Sequence, residues 1–425
     1  MDPLTEPPAR APAAVESPAP TVEGGDGAET AMLEAAVRHL AAIARPSASP
    51  GEKAAAAWIA ARLEEEGATV EIDEESAHGT YWRPFALLTA IGAAGGLAAL
   101  RGRRATGLVA GAFAAAGMWG EVGGGSLWFR RRFLSHRPCW NVVAEAGDRD
   151  ARETLVLFAH HDAARSGLVF HPALLRTVAE ALPGLHARAT VSPPLFWLVI
   201  GGPGLVAAGA LAGRRSVVRA GTILATACLA AFADIASRDT VPGANDNATG
   251  VATLLGVARK LRRRPVDGLR VLLVSAGAEE SFQEGIGAFG RRHFARLSPP
   301  HTRMLCVDTV GSPQLTTPES EGMLVHRGFT PEMLEALSES AREAGVHLGR
   351  GLRFSFSTDA IVPLRAGYRT AMLGSVDELK APSNYHWPTD DADNVDYERV
   401  ADAVRLCETL IRRLARSAAP GSAPA

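Results

Sequence analysis

The sequence predicts an α/β protein built on a doubly wound, mostly parallel sheet, with two apolar helical hairpins inserted into it. The first observation is that short apolar runs, each followed by polar residues, alternate with segments of helical periodicity. The second is that four uncharged runs interrupt this alternation in two pairs. The third is size, because 425 residues leave room for insertions beyond one such domain. The predicted strands are 69–73, 139–146, 154–159, 270–275, 303–307 and 370–373.

Helices are predicted where apolar residues recur at three- and four-residue spacing between turn-forming residues. Gly67 follows the second of these segments, and Pro265 follows the third. The third also ends in a basic turn between Lys260 and Arg264, which suits the negative end of a helix dipole. The predicted helices are 29–44, 52–66, 248–264, 331–344 and 397–415.

The composition of the chain argues against several classes of protein. A net charge of -2 gives no support for nucleic-acid binding. The four cysteines are widely spaced and form no Cys-x-x-Cys pair, which disfavours a disulfide framework or a thiolate zinc site. Residues 1–28 are rich in Pro, Ala and acidic side chains and lack the regions of a signal peptide, so a disordered leader is predicted. A disordered tail is predicted over 416–425.

Two apolar hairpins are predicted, over 84–128 and 190–238. Most of their uncharged runs are shorter than the ~20 residues of a membrane span, so both a membrane hairpin and a buried core hairpin fit. We favour a multi-pass membrane protein, with lipid as a partner. Arginines in the first hairpin's loop and at its ends leave the side of the membrane open. The runs are 85–100, 105–120, 193–213 and 220–233, of which the last is the shortest and the weakest candidate.

Residues 241–255 combine a turn, a carboxylate and a helix start. Pro242 and Gly243 favour the turn, and Asp246 lies between two asparagines just before the predicted helix. Asp is a favoured N-cap residue, so one interpretation is that Asp246 only caps that helix. The other is that its carboxylate belongs to a functional site.

Polar side chains follow the predicted strands at the edge where such sheets bind ligands. Each alone has an ordinary explanation, since a His-x-Asp pattern is commonly incidental and adjacent glutamates commonly form a solvated face. Together they make a nitrogen and oxygen ligand set of the kind used for paired divalent metals, zinc foremost. The set is His160, Asp162, Asp246, Glu279, Glu280, Asp308 and His386.

These residues lie in five motifs, and in the order of the motifs the sequence resembles a known family. The motifs are Ala159-His160-His161-Asp162, Gly243-Ala244-Asn245-Asp246-Asn247-Ala248-Thr249-Gly250, Ala278-Glu279-Glu280, Val307-Asp308-Thr309-Val310-Gly311, and Tyr385-His386 followed by Asp390. They resemble the di-zinc aminopeptidases of the clan that includes aminopeptidase Y and the glutamate carboxypeptidases. The resemblance implies the zinc exopeptidase, phosphorylase/hydrolase-like fold. We therefore expect one peptidase domain over 29–415, interrupted by the two hairpins.

The resemblance also implies a metal centre with two zinc ions per chain. In that family pattern Asp246 bridges the two ions. His160 and Asp308 would complete one site, and Glu280 and His386 the other.

Three further residues receive roles from the same resemblance. Glu279 would be the general base that takes a proton from a metal-activated water and passes it to the leaving amine. Asp162 would orient His160, and Tyr385 would help hold the developing oxyanion. In the pair His160-His161, the spacing to Asp162 selects the first histidine as the ligand.

The expected function is a membrane-associated zinc exopeptidase of the aminopeptidase type that acts on peptides. One alternative is a zinc acyltransferase similar to the glutaminyl cyclases, which share the fold and use one zinc. Another is a non-catalytic membrane receptor or assembly subunit on a peptidase fold, which would be expected to have lost ligands. The sequence leaves the substrate, its residue preference and the oligomeric state open.

Overall fold

The computed structural model describes residues 26–123 and 125–418. The predicted leader and tail lie mostly outside the described residues. Residues 26–28 and 416–418 are described, and they extend two helices. These are α1 (Asp26–Ala41), tied near its start by an ion pair of 2.7 Å between Glu29 and Lys260, and α14 (Tyr397–Ala418), tied near its end by one of 2.8 Å between Arg416 and Glu343.

The strands form one large sheet and one small one within the described residues. Each predicted strand is present, and each is longer than expected. The small three-stranded sheet was not predicted, because its strands have only two residues each. The strands are β1 (Thr69–Ala77), β2 (Arg137–Gly147), β3 (Thr154–His160), β4 (Arg270–Ala276), β5 (Thr302–Val307), β6 (Gln314–Thr316), β7 (Ser320–Glu321), β8 (Arg327–Gly328), β9 (Arg353–Phe354) and β10 (Arg369–Val376).

The large sheet has the order β1-β2-β4-β3-β5-β10-β6. The pairs β4–β3, β3–β5 and β5–β10 are parallel, whereas the outer pairs are antiparallel. Every residue of β3 is buried, which requires that both faces of the sheet be covered. This confirms the predicted doubly wound α/β fold, in which the parallel pairs form the centre of a mixed sheet.

Helices cover the faces of the sheet and determine where the loops at the carboxyl ends of its strands lie. Helices α1, α10, α12 and α14 pack together as one layer, and α11 packs on β1, β2 and β4. Two short exposed helices, α6 and α7, lie in the long connection after β3 and were not predicted. The helices outside the apolar insertions are α2 (Pro50–Glu65), α5 (Trp128–Phe133), α6 (Pro172–Ala181), α7 (Pro183–Arg188), α10 (Thr249–Arg263), α11 (Glu284–His293), α12 (Pro331–Ala344) and α13 (Ile361–Arg365).

The two predicted apolar hairpins pack against each other as a single four-helix bundle, here called the apolar bundle. By length and composition, α3 and α9 could each cross a membrane, whereas α4 and α8 are shorter. The prediction that the last run is the weakest is wrong, because α9 extends past the uncharged residues through Arg215, Arg219 and Asp234. The bundle consists of α3 (Trp82–Leu100), α4 (Arg104–Met118), α8 (Phe196–Ala212) and α9 (Arg215–Ser237).

Small residues set the spacing of the bundle helices. A Cβ atom on Gly221 of α9 would lie 2.7 Å from the carbonyl oxygen of Gly202 on α8. One on Gly111 of α4 would lie 2.7 Å from the carbonyl oxygen of Pro203. Backbones in such close contact leave no room for side chains, so these glycines are required by packing.

Candidate metal centre

Five side chains from five separate segments meet at the carboxyl edge of the sheet. His160 ends β3, Glu280 follows β4, and Asp308 follows β5. Asp246 precedes α10, and His386 lies in the loop after β10. All five are at least nine-tenths buried, so chain topology alone brings together donors that are up to 226 residues apart in the sequence, counted from His160 to His386.

Asp246 lies between the two histidines. Its Oδ1 is 3.1 Å from Nε2 of His160, and its Oδ2 is 3.2 Å from Nε2 of His386. Glu280 Oε1 is also 3.2 Å from Nε2 of His386, and Asp308 Oδ1 is 4.0 Å from Nε2 of His160. The donors thus form two triads that share Asp246.

The chemistry of this set fits divalent cations. Within each triad the ligand atoms lie within 4.8 Å of one another. Asp246 Oδ2 and Glu280 Oε1 are buried and accept no hydrogen bond from the described residues. Nitrogen and carboxylate oxygen donors without thiolates suit zinc and similar metals.

Electrostatics support the same conclusion. Burial alone would lower the pKa of His386, but the negative charge of Glu280 and contact with Asp246 raise it to about 10. Burial raises the pKa of Asp308 to about 7, and the charge of Asp246 adds to this effect. Protons on these groups thus offset an excess of buried negative charge, which is the role that bound cations fill in a metal site.

Asp162 connects the first histidine to the glutamates. Its Oδ1 lies 3.4 Å from Nδ1 of His160, on the ring edge opposite Asp246. Its two oxygens accept backbone N–H bonds of 3.0 Å from Glu279 and Glu280, and Oδ2 accepts a 2.6 Å bond from the Ser47 hydroxyl. One buried carboxylate therefore fixes the histidine ring and the glutamate backbone together.

His161 points away from the donors. Its Nδ1 lies 2.9 Å from the Ser275 hydroxyl, and burial lowers its pKa to about 4. The structure therefore places His160 among the metal donors and His161 in the core, which is the arrangement expected from the spacing to Asp162.

Asp246 does not act as the cap of α10, because Ala248 occupies the N-cap position of that helix. Flanking amides hold its loop instead. The Asn245 side chain accepts a 2.8 Å bond from Gly311 N, and the Asn247 side chain accepts a 3.1 Å bond from Thr309 N. The carboxylate is left free to face the centre.

Asp390 supports the same loop from the other side. Its oxygens accept N–H bonds of 2.7 Å from Asn245 and 3.2 Å from Asp246. The sequence motif that pairs His386 with a following Asp390 thus has a physical basis, because Asp390 positions the backbone of the central carboxylate.

The glutamate loop, residues 278–284, is held in an unusual backbone conformation. Ala278, Phe282 and Gln283 all have φ between 50° and 67°, a region that non-glycine residues rarely adopt. Within it, Gln283 Nε2 donates a 2.8 Å bond to Oε1 of Glu279 and a 3.2 Å bond to the carbonyl of Ser357. Glu279 therefore lies beside the donors in a fixed orientation.

Arg130, in α5, connects this loop to the first insertion through ion pairs and a hydrogen bond. It is fully buried, its Nε lies 2.6 Å from Glu121, and its Nη1 lies 3.2 Å from Glu284. The guanidinium also donates to the Ser281 carbonyl and lies over the Phe282 ring, 5.5 Å from its centroid. The insertion is thus bonded directly to the segment that carries both glutamates.

Tyr385 lies against the second histidine. Its ring stacks on that of His386 with centroids 3.8 Å apart, and burial raises its pKa well above the ordinary value. Phe170, from the connection that carries the second hairpin, packs edge-on against His386 at 4.6 Å. The connection between β3 and the second insertion therefore covers this side of the centre.

Several neighbours of the site were missed by the sequence reasoning. Asp359 is fully buried and neither oxygen has a hydrogen-bond partner among the described residues. A signal existed, because it is the only charged residue between Arg353 and Arg365. Tyr81 has a buried hydroxyl without a partner in the described chain, and its ring lies 5.5 Å from that of Phe282. Its place beside an apolar run gave no sequence signal.

The fold and the clustered donors define the class: the chain has the zinc exopeptidase fold. Residues 227–411 match the model of peptidase family M28, a range that includes every donor except His160. No curated protein matches the sequence.

Solved structures extend the likeness to nearly the whole chain. Glutaminyl cyclase from Bacteroides thetaiotaomicron, bound to N-acetylhistamine, matches with a TM-score of 0.53 and 14% identity over 90% of this chain and 97% of that chain. A leucine aminopeptidase precursor from Bacteroides thetaiotaomicron matches at 0.52 and 13% over 90% and 96%. The zinc aminopeptidase of Bacillus subtilis matches at 0.51 and 13% over 91% and 94%. At these identities the likeness is one of fold.

Proposed function

We propose that the protein is a zinc-dependent exopeptidase of the aminopeptidase type with two zinc ions per chain. The observation that carries the proposal is the position of Asp246, with one carboxylate oxygen facing His160 and the other facing His386. A carboxylate shared between two donor sets is suited to bridging a pair of metals. The M28 match and the zinc aminopeptidase and glutaminyl cyclase neighbours support this chemistry.

Each of these residues has a separate chemical role in the proposed reaction. Zinc bound by the five donors would supply a Lewis acid and a water that is nucleophilic at neutral pH. Glu279, oriented by Gln283, accepts a proton at its carboxylate and gives it to the leaving amine. Asp162 keeps His160 and the glutamate backbone in register, and Tyr385 donates to the carbonyl oxygen as negative charge develops.

We also propose that the apolar bundle lies in a membrane and that all four helices enter it. The nineteen residues of α3 correspond to about 28 Å, close to the thickness of the hydrocarbon core. Large apolar side chains on the outside of the bundle are exposed, including Val109 at 68%, Leu211 at 74% and Ile223 at 64%. A surface of this kind suits lipid.

Both ends of the bundle carry side chains that are common at membrane interfaces. Tryptophans lie at the end nearest the metal centre, where Arg83 and Arg130 also lie, and further basic side chains lie at the two hairpin loops at the far end. Gly213 of the second loop lies against Arg104 of the first, so both loops share that end. The metal centre would then lie near the membrane surface. The tryptophans are Trp82, Trp119, Trp128 and Trp197, and the arginines are Arg101, Arg103, Arg104, Arg214 and Arg215.

The decisive experiment measures amino-acid release from peptides with free and with blocked N-termini, with and without chelator, alongside metal content per chain. Chelator-sensitive release from free N-termini only, with two zinc ions per chain, is expected. Endopeptidase cleavage of blocked peptides would overturn the aminopeptidase assignment. Ammonia release from N-terminal glutamine peptides, with one zinc per chain, would show a glutaminyl cyclase instead. Membrane fractionation tests the bundle, since a chain fully soluble without detergent would refute its membrane role.

A further inference from the structure

A separate cavity of about 780 Å³ lies behind the glutamate loop. It is lined by Ser76 at the end of β1, by the end of the first insertion from Glu121 and α5 beyond it, and by α11 and α13 of the α/β domain. None of the five metal donors lines it, so it is distinct from the centre described above. Its volume is within the range of small-molecule sites.

The wall of this cavity carries an excess of positive charge. Arg131, Arg291 and Arg365 line it, and none of them forms an ion pair with any residue in the described ranges. Two carboxylates, Glu121 and Glu284, also line it, but both are engaged by the buried Arg130. The three arginines therefore have no ion-pair partner among the described residues; Arg131 and Arg291 are exposed to solvent, and Arg365 is partly buried.

The environment of Arg365 shows the same imbalance. It is partly buried, and the bond that its guanidinium makes is 3.3 Å long, to the carbonyl of Gly123. Burial and the positive charge of Arg327 lower its pKa, and the charge of Glu321 opposes this only in part. An anion in the cavity would relieve this, because guanidinium groups bind carboxylate and phosphate oxygens in pairs.

The cavity also reaches the catalytic side of the loop. Gln283 and Ser357 line it, and Gln283 is the residue that donates to Glu279 Oε1 and to the Ser357 carbonyl. A group bound in the cavity would therefore lie one side chain away from the proposed general base.

We propose that this cavity binds an anionic group, a carboxylate or a phosphate, between Arg131, Arg291 and Arg365. The anion is either free in solution or carried by the substrate. The possibility that the substrate carries the anion rests on the proposed peptidase function, whereas the binding of an anion in this cavity does not.

Binding is tested by calorimetric titration of the full-length protein with inorganic phosphate at constant ionic strength. Because a metal centre also attracts phosphate, the titration is repeated in an Asp246→Asn background. In the Asp246→Asn background, the double variant Arg291→Gln/Arg365→Gln is expected to bind phosphate at least about tenfold more weakly. The matched control is Arg132→Gln, an exposed arginine next to Arg131 that does not line the cavity. Equal phosphate affinity of the Asp246→Asn protein with and without the double substitution would overturn the proposal.

The source of the anion is tested with paired peptides that differ by Asp against Asn or Glu against Gln. If the substrate carries the group, the wild type prefers the acidic peptide, and the double variant loses that preference about tenfold in kcat/KM. If the anion is free, phosphate changes the rate on neutral peptides, and the double variant loses that response. Phosphate binding without any peptidase activity would leave the anion site intact and reject the proposed function.

Discussion

The α/β domain and the apolar bundle are stabilised by different means. In the domain, buried polar groups are tied into networks, as Asp162 shows by accepting bonds from Ser47, Glu279 and Glu280. In the bundle, the helices approach closely at glycines and other small residues, and several large apolar side chains such as Val109, Leu211 and Ile223 are exposed on its outer surface. This difference is what the proposed membrane location of the bundle predicts, since outward apolar residues stabilise nothing in water.

The two regions meet at a ring of aromatic side chains and one ionic cluster. Phe85 of α3 and Phe196 of α8 lie 5.3 and 5.9 Å from Phe282 of the glutamate loop, measured between ring centroids. Deleting one hairpin would therefore expose both its partner hairpin and this loop. Point substitutions separate the contributions of the two regions more cleanly.

The largest effect is expected from removing the shared carboxylate. Asp246→Ala should lose bound zinc and all peptidase activity, because both triads depend on it. Metal content by elemental analysis is the measurement, with the exposed Asp267→Ala as control. Two retained ions in the Asp246 variant would contradict the shared-ligand assignment.

Glu279→Gln should keep its metal but slow turnover by about 10²- to 10⁴-fold, the range for loss of a general base. The amide can still contact Gln283 but cannot take up a proton. Steady-state kcat and zinc content are compared with the wild type. Full activity would show that another group takes the proton.

Arg130→Met tests the junction between the regions. It leaves Glu121 and Glu284 buried without their cation, so a loss of about 3–5 kcal/mol in the free energy of unfolding is expected. Arg132→Met, at an exposed position on the same helix, should change it by less than about 0.5 kcal/mol. Denaturant unfolding in detergent gives both values. Equal stability of the two variants would show that the contacts of Arg130 do not stabilise the protein.

The smallest effect is expected within the bundle. Gly221→Leu places a side chain where a Cβ would lie 2.7 Å from backbone atoms of α8, which should cost about 1–3 kcal/mol. Gly204→Leu is the control, because nothing lies within 4 Å of a Cβ at that position of the same bundle. Thermal unfolding in detergent distinguishes the two. If both variants unfold alike, helix spacing does not depend on these glycines.

The sequence by itself determined the strands, the main helices, the two hairpins and the donor motifs. Apolar runs such as 154–159 are confirmed as strands, because a buried parallel strand needs continuous apolar residues whatever its neighbours are. The placement of donors after strands followed from the same logic, since chain topology sends the ends of parallel strands to one edge.

Only the tertiary structure decided how these parts combine. The sequence left open whether Asp246 caps a helix, and the bonds of Asn245, Asn247 and Asp390 to distant backbone groups settle its conformation. Pairing of the two hairpins into one bundle, and the bonding of Arg130 to the glutamate loop, join residues as far apart as Arg130 and Glu284. Local periodicity contains no information about such contacts, because they depend on three-dimensional packing between segments that are remote in the chain.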